Sequence, residues 1–156
     1  MELRRSDQGD AAEIEVRLAD DRDREMIASL YMAGGWWDGA LDPVGLSALI
    51  RGSFAFAVAV ERDTGRAVGM GRALSDGVSD AYIQDLVVLP AYRGRGIGTK
   101  ILSTLLDHCR SAGVTWIALV AEPGTETFYT PLGFQRLEAH TPMRWRPMEW
   151  GVRRGD

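Results

Sequence analysis

Apolar and polar positions alternate along this chain with two periods, and the periods separate strands from helices. Ile14-Glu-Val-Arg-Leu18 alternates as a strand. Asp20 or Asp21 then caps a helix that carries Met26, Ile27, Leu30 and Tyr31 on one face and ends at Gly34. Asp42-Pro43 joins an N-cap to a first-turn proline, and Val44, Leu46, Leu49 and Ile50 make a short second helix closed by Gly52. Phe54 to Val60 and Val68 to Leu74 alternate on either side of the Arg62-Asp-Thr-Gly-Arg66 turn and read as an antiparallel hairpin. A third strand, Ala81 to Leu89, joins them, and its continuously apolar end, Leu86-Val-Val-Leu89, predicts burial on both faces. From Gly98 to Ser111, Ile101, Leu102, Leu105, Leu106 and Cys109 follow helical spacing, with Gly113 past the end. Trp116 to Ala121 is another apolar strand; a helix over Thr125 to Leu132, a strand over Phe134 to Ala139 and a last strand near Met143 to Trp145 follow. The order βααβββαβαβ combines hairpins with a β-helix-β crossover, so the fold class is α/β (α+β), a mixed sheet with helices packed against it.

The chain has 156 residues, 46% hydrophobic and 26% charged, which predicts one folded domain over 14–146 between polar tails at 1–13 and 147–156. No apolar run approaches the roughly 20 residues of a membrane helix, and Met-Glu-Leu-Arg-Arg-Ser-Asp at the start has no apolar stretch for a signal peptide. A cytoplasmic protein without membrane contact is expected. Cys109 is alone, and His108 and His140 are the only histidines, so no cluster has zinc spacing and no metal is expected. A net charge of -4 argues against a polyanionic duplex as partner, because such binding rests on neutralising phosphates; no nucleic acid is expected.

The chemistry concentrates where an apolar strand turns through glycines into the longest amphipathic helix, Leu86-Val-Val-Leu-Pro-Ala-Tyr-Arg-Gly-Arg-Gly-Ile-Gly-Thr-Lys100. Free N–H groups and the positive end of the helix dipole make such a start an anion site, and glycines let a phosphate approach the main chain. Arg93, Arg95 and Lys100 add positive charge. Two familiar phosphate loops fail on spacing. Gly98-Thr-Lys100 has the P-loop residues in the wrong order, and glycines at 94, 96 and 98 do not give G-x-G-x-x-G.

Arg93-x-x-Gly96-x-Gly98 resembles the acyl-CoA signature Q/R-x-x-G-x-G/A of the GNAT superfamily of N-acetyltransferases. Phe128-Tyr-Thr-Pro-Leu-Gly-Phe134 resembles that family's F-Y-x-x-x-G-F segment. The likeness runs from Ile14 to Met143. It implies a GNAT-like, mostly antiparallel sheet with a central splayed parallel pair and helices on both faces. It also implies acetyl-CoA as the acyl donor and a primary amine, on a small molecule, as the acceptor that attacks directly in a ternary complex. The pantetheine arm would enter as an added strand beside Leu86, Val87 and Val88, with the Leu86 N–H polarising the thioester carbonyl. Arg93, Gly94, Arg95, Gly96, Ile97, Gly98 and Thr99 would hold the pyrophosphate.

By the same resemblance Tyr129 lies against the cofactor and is the general acid for the departing thiolate; otherwise its ring packs in the core. The family's usual acceptor-side positions are Tyr82 and Gln84 here, neither a base near neutrality. Gln84 could order a water leading to a carboxylate, either Glu122 or Asp85. Glu122 is preferred, because Asp85 faces the other side of its strand unless the strand is bulged; a solvent charge or a cap for the following helix is the other reading of Glu122. Trp36 and Trp37 would wall an amine pocket, with Asp38 or Asp76 attracting the cation, or the tryptophans pack their loop on the core. Gly69 and Gly71 leave room for a ligand or for a neighbouring side chain. A peptide acceptor and a non-catalytic acyl-CoA-binding module remain as rival readings, and homodimerisation stays open.

Overall fold

The computed structural model describes residues 12–37 and 42–145, in two compact units that divide between Leu119 and Val120. The first unit holds a five-stranded sheet in sequence order: β1 (Ile14–Leu18), β2 (Ala55–Glu61), β3 (Ala67–Ser75), β4 (Asp80–Val88) and β5 (Trp116–Leu119). The first four strands pair antiparallel, and β4 pairs parallel with β5. Its helices are α1 (Arg24–Ala33), α2 (Pro43–Gly52) and α3 (Ile97–Ser111).

Alternation along the strands sends side chains to two helical layers. Phe56, Val58, Val60 and Met70 pack with Ile27, Leu30 and Tyr31 of α1 and Leu46 and Ile50 of α2. On the opposite face α3 lies over the glycines of β3: a Cβ built on Gly69 would stand 3.0 Å from Ile101, and one on Gly71 3.1 Å from Ile101 and 3.3 Å from Leu105. The glycines therefore make room for neighbouring side chains. Ile101, Leu102, Leu105 and Cys109 form the buried stripe of α3, and each large apolar side chain there contributes roughly 1.5–3 kcal/mol by burial.

Local chemistry accounts for the helix starts. Asp42 caps α2 through its side chain, which accepts from the Gly45 N–H at 2.6 Å, and Pro43 occupies the first turn. Asp20 caps a single 3-10 turn, Asp21–Asp23, that leads into α1. Asp23 is buried and takes both Arg17 guanidinium nitrogens at 2.8 and 2.7 Å. Gly34 ends α1 in the right-handed region, and the left-handed residue is Gly35 at φ 72.

The second unit contains one helical turn, α4 (Glu126–Tyr129), continued by a 3-10 turn over Thr130–Leu132. The expected strands at 134–139 and 143–145 do not form. The chain turns there, with the His140 N–H donating to Leu137 O at 3.2 Å and Ala139 at φ 61, and Leu137, Met143 and Trp145 are exposed. Apolar alternation needs a paired edge to become a strand, and no ladder partner engages these residues among those described. Of the predicted tails at 1–13 and 147–156, residues 1–11 and 147–156 lie outside the described residues.

Candidate active site

The glycine turn has the geometry that the sequence pattern requires. Gly94 and Gly96 both sit at φ 74, and a Cβ on either would project into open space. Gly96 is the N-cap of α3, and no side chain caps the helix, so the N–H groups of Ile97, Gly98 and Thr99 begin it without side-chain partners. Ile97 is buried and anchors the turn to the core, while Lys100 stays exposed. The Arg93 Nε donates to the Val88 carbonyl at 2.9 Å, tying the turn back to its strand. The Arg95 side chain reaches the Ala12 carbonyl at 2.8 Å and lies over the Tyr92 ring, so Arg95 would serve an anion through its main chain. A cleft of about 550 Å³ beside this turn is lined by Glu61, Arg66, Leu89, Pro90, Tyr92 and Arg95.

β4 pairs with β5 only from Asp80↔Trp116 to Ile83↔Leu119. β5 ends at Leu119, so beyond Ile83 no strand among the described residues pairs with this edge of β4, and Leu86, Val87, Val88 and Leu89 are half-buried where their apolarity predicts full burial. The same stretch carries a bulge. β3 advances from Met70 to Arg72 while β4 covers Val87 to Gln84, one residue more, and Asp85 lies at φ 56. A non-glycine residue in the left-handed region costs up to about 1–2 kcal/mol, less for aspartate.

The bulge turns Asp85 to the α1 side, where its carboxylate accepts from the Tyr31 hydroxyl at 2.7 Å and from Arg72 Nε at 2.6 Å. Arg72 Nη2 also reaches Gln84 Oε1 at 3.2 Å. Burial and the hydrogen bond to Asp85 push the Tyr31 phenol well above its ordinary pKa, so it stays protonated as a donor. Tyr31 meets the rings of Trp36 and Trp37 edge-on, each at 6.2 Å between centroids. Trp36 is nearly half exposed, whereas the Trp37 indole N–H is buried. Asp38 lies outside the described residues. Asp76 is engaged in the β3–β4 turn, accepting from the Val78 and Ser79 N–H groups at 2.8 Å, and those bonds, that from Ser79 first, hold its carboxyl below the ordinary carboxylate range. Tyr82, beside Gln84 on β4, is exposed and meets Trp116 edge-on.

Arg72 and Tyr31 are absent from the residues that motif reading selects. Arg72 was nonetheless visible as a charge interrupting an otherwise apolar strand run, and Tyr31 as a member of the apolar face of the first helix, but nothing in the sequence joined either to Asp85.

In the second unit the Glu122 carbonyl accepts from the Thr125 N–H at 3.1 Å and its hydroxyl at 2.7 Å, so Glu122 shapes the turn before α4 through its main chain. Its carboxylate is exposed and has no hydrogen bond to another described residue. Tyr129 is partly buried, with Phe128 and Phe134 packed edge-on at 4.9 and 5.9 Å. Burial, then the nearby Glu122 charge, raises its phenol above the ordinary value. The hydroxyl is a proton donor at neutral pH.

Residues 18–134 match the family model described as the acetyltransferase (GNAT) family. The chain is 44% identical over 70 residues to serotonin N-acetyltransferase 2, chloroplastic, of Oryza sativa subsp. japonica, covering 45% of this chain and 35% of that protein. It spans between 35% and 40% of the length of the first curated relatives it matches. A GNAT family acetyltransferase of Streptococcus pneumoniae superposes with a TM-score of 0.73 at 28% identity, covering 88% of this chain and 100% of that one. The fold is also that of an aminoglycoside N-acetyltransferase crystallised with CoA, at a TM-score of 0.69 and 18% identity, covering 89% and 99% of the two chains.

Proposed function

This chain belongs to the acetyltransferase (GNAT) family, and from that premise we propose that it moves the acetyl group of acetyl-CoA to a primary amine of a small molecule by direct attack in a ternary complex. One observation carries the reading. The uncapped start of α3, opened by two left-handed glycines without Cβ atoms, adjoins a strand edge that β5 leaves unpaired. Together they suit a ligand that is a diphosphate at one end and an amide-bearing arm at the other.

Acetyl-CoA supplies the activated acyl group. The N–H groups of Ile97, Gly98 and Thr99, with the main chain of Arg93, Gly94, Arg95 and Gly96, bind the diphosphate. Leu86, Val87 and Val88 offer main-chain groups to the arm, and the Leu86 N–H donates to the thioester carbonyl oxygen as negative charge develops there. Glu122, directly or through a water held by Gln84, takes the proton of the attacking amine. Tyr129 delivers its phenolic proton to the departing sulfur, a role supported by its match to the family's F-Y-x-x-x-G-F segment and by its raised pKa. The partly exposed Trp36 ring, which can offer its face to a cation, together with the net negative charge, suits a cationic acceptor such as an arylalkylamine. The name of the serotonin-acetylating relative supports the same class.

The test is thiol release from acetyl-CoA across arylalkylamines, polyamines, amino sugars, amino acids and lysine peptides. Release is expected with small amines. Tyr129→Phe should lower kcat on the order of 10²-fold with little change in the KM for acetyl-CoA, and Glu122→Gln should remove the acidic limb of the pH profile. Acetyl-CoA binding without thiol release on any acceptor would make the chain a binding module, and release with peptides alone would make it a protein acetyltransferase.

A further inference from the structure

Unbroken alternation in β4 would put Asp85 on the α3 face, in phase with Ala81 and Ile83, both buried. The extra residue of the bulge gives that place to Leu86, whose Cδ1 would stand 3.1 Å from a Cβ on Gly71, beside Ile101 and Leu105. Asp85 is thereby turned to the other face and into a left-handed conformation, at a position in such bulges where glycine is the usual residue. Two elements hold it there. Arg72 comes from β3 and Tyr31 from α1; both donate to the same oxygen, Oδ2, and the Arg72 and Asp85 side chains are only 15% and 22% exposed. The Tyr31 ring is also the shared packing partner of Trp36 and Trp37, so one hydroxyl connects the acceptor-side loop to the bulge.

We propose that Arg72, Asp85 and Tyr31 are positioning residues, a clamp that holds the β4 bulge in its left-handed form and so aims the Leu86 N–H at the reacting carbonyl. The inference rests on the role given to Leu86 above. Asp85 acts through its shape and its hydrogen bonds, not as the base. An arginine and a buried phenol occupy one oxygen of its carboxylate, and the bulge, not proton transfer, accounts for both partners.

Three substitutions separate these roles. Asp85→Asn keeps a side chain that tolerates positive φ and still accepts hydrogen bonds; Asp85→Gly keeps the backbone conformation without the clamp; Asp85→Ala keeps neither. Turnover is expected within about 3-fold of wild type for Asn and about 10-fold for Gly, and lowered on the order of 10²-fold for Ala, the cost of misplacing one donor. The KM for acetyl-CoA should change little throughout. A loss in Asn as large as in Ala would make the carboxylate a proton carrier, and wild-type turnover in Ala would show that the bulge needs no clamp; either overturns the proposal. Tyr31→Phe, which retains the ring, should lower kcat about 3–10-fold without moving KM; unchanged kcat in both Tyr31→Phe and Arg72→Lys also overturns it. Should the wild-type protein release no thiol with any amine, the acetyltransfer reading fails, and crystal structures still judge the clamp. Positive φ at position 85 is expected in the Gly variant and lost in the Ala variant; its persistence in Ala refutes the clamp.

Discussion

Gly96→Ala separates backbone strain from ligand binding, because Gly113 supplies a matched control at the other end of the same helix. Gly96 lies at φ 74 and Gly113 at φ 86, and a Cβ at either position meets nothing within 4 Å. The two substitutions therefore share one penalty, a left-handed L-residue, worth about 1–2 kcal/mol. At roughly 2–4 °C per kcal/mol for a chain of this size, both variants should melt about 2–8 °C below wild type. Only the methyl at 96 stands where the diphosphate would approach the N–H groups of Ile97, Gly98 and Thr99. Loss of one charge-assisted hydrogen bond there, roughly 1.5–3 kcal/mol, weakens CoA by about 10- to 100-fold. Gly113 is a 15-residue helix away, roughly 22 Å, and Gly113→Ala should leave CoA affinity unchanged. Thermal unfolding and calorimetric titration with CoA measure the two quantities. If both variants lost CoA affinity equally, or if Gly96→Ala bound CoA as wild type does, the assignment of the diphosphate to this turn would be wrong.

Asp23→Asn tests the one closely paired buried carboxylate of the α1 entry. Hydrogen bonding to Arg17 holds the Asp23 carboxyl below its ordinary value, so its contribution is complete above about pH 4 and is lost as pH falls through the lowered folded-state pKa. The variant should be less stable by roughly 1–3 kcal/mol at pH 7, with the gap closing at pH 3; a gap of equal size in urea unfolding at both pH values would refute that source. Gly71→Ala places a methyl 3.1 Å from Ile101 and Leu86 and should destabilise by roughly 1–3 kcal/mol as α3 is pushed outward; unchanged unfolding midpoints would show that the helix yields freely.

Periodic and local signals were legible in the sequence. The Asp42-Pro43 start, the α3 stripe and the glycine turn each lie within a few residues of the groups that stabilise them, and all three appear in the structure as read. The bulge was not legible. Whether Asp85 sits in or out of phase is decided by Arg72 and Tyr31, 13 and 54 residues away, and no local pattern carries that pairing. Phe134 to Ala139 alternates well enough for a strand, yet alternation states only which face is apolar and not whether an edge is available to pair. Leu86-Val-Val-Leu89 misled in the opposite direction. A continuous apolar run predicts a strand covered on both sides, whereas the neighbouring strand ends opposite Ile83. Trp36 and Trp37 keep both of their readings: their rings pack on Tyr31, and one of them remains open to solvent.

The bond from Arg93 to the Val88 carbonyl means that the loop between strand and helix is already drawn into shape by the polypeptide itself. Its ordering entropy is spent during folding, before any visitor arrives. An anion bound there as proposed would meet donors already in place, and that earlier ordering would add to the affinity given by the hydrogen bonds it forms.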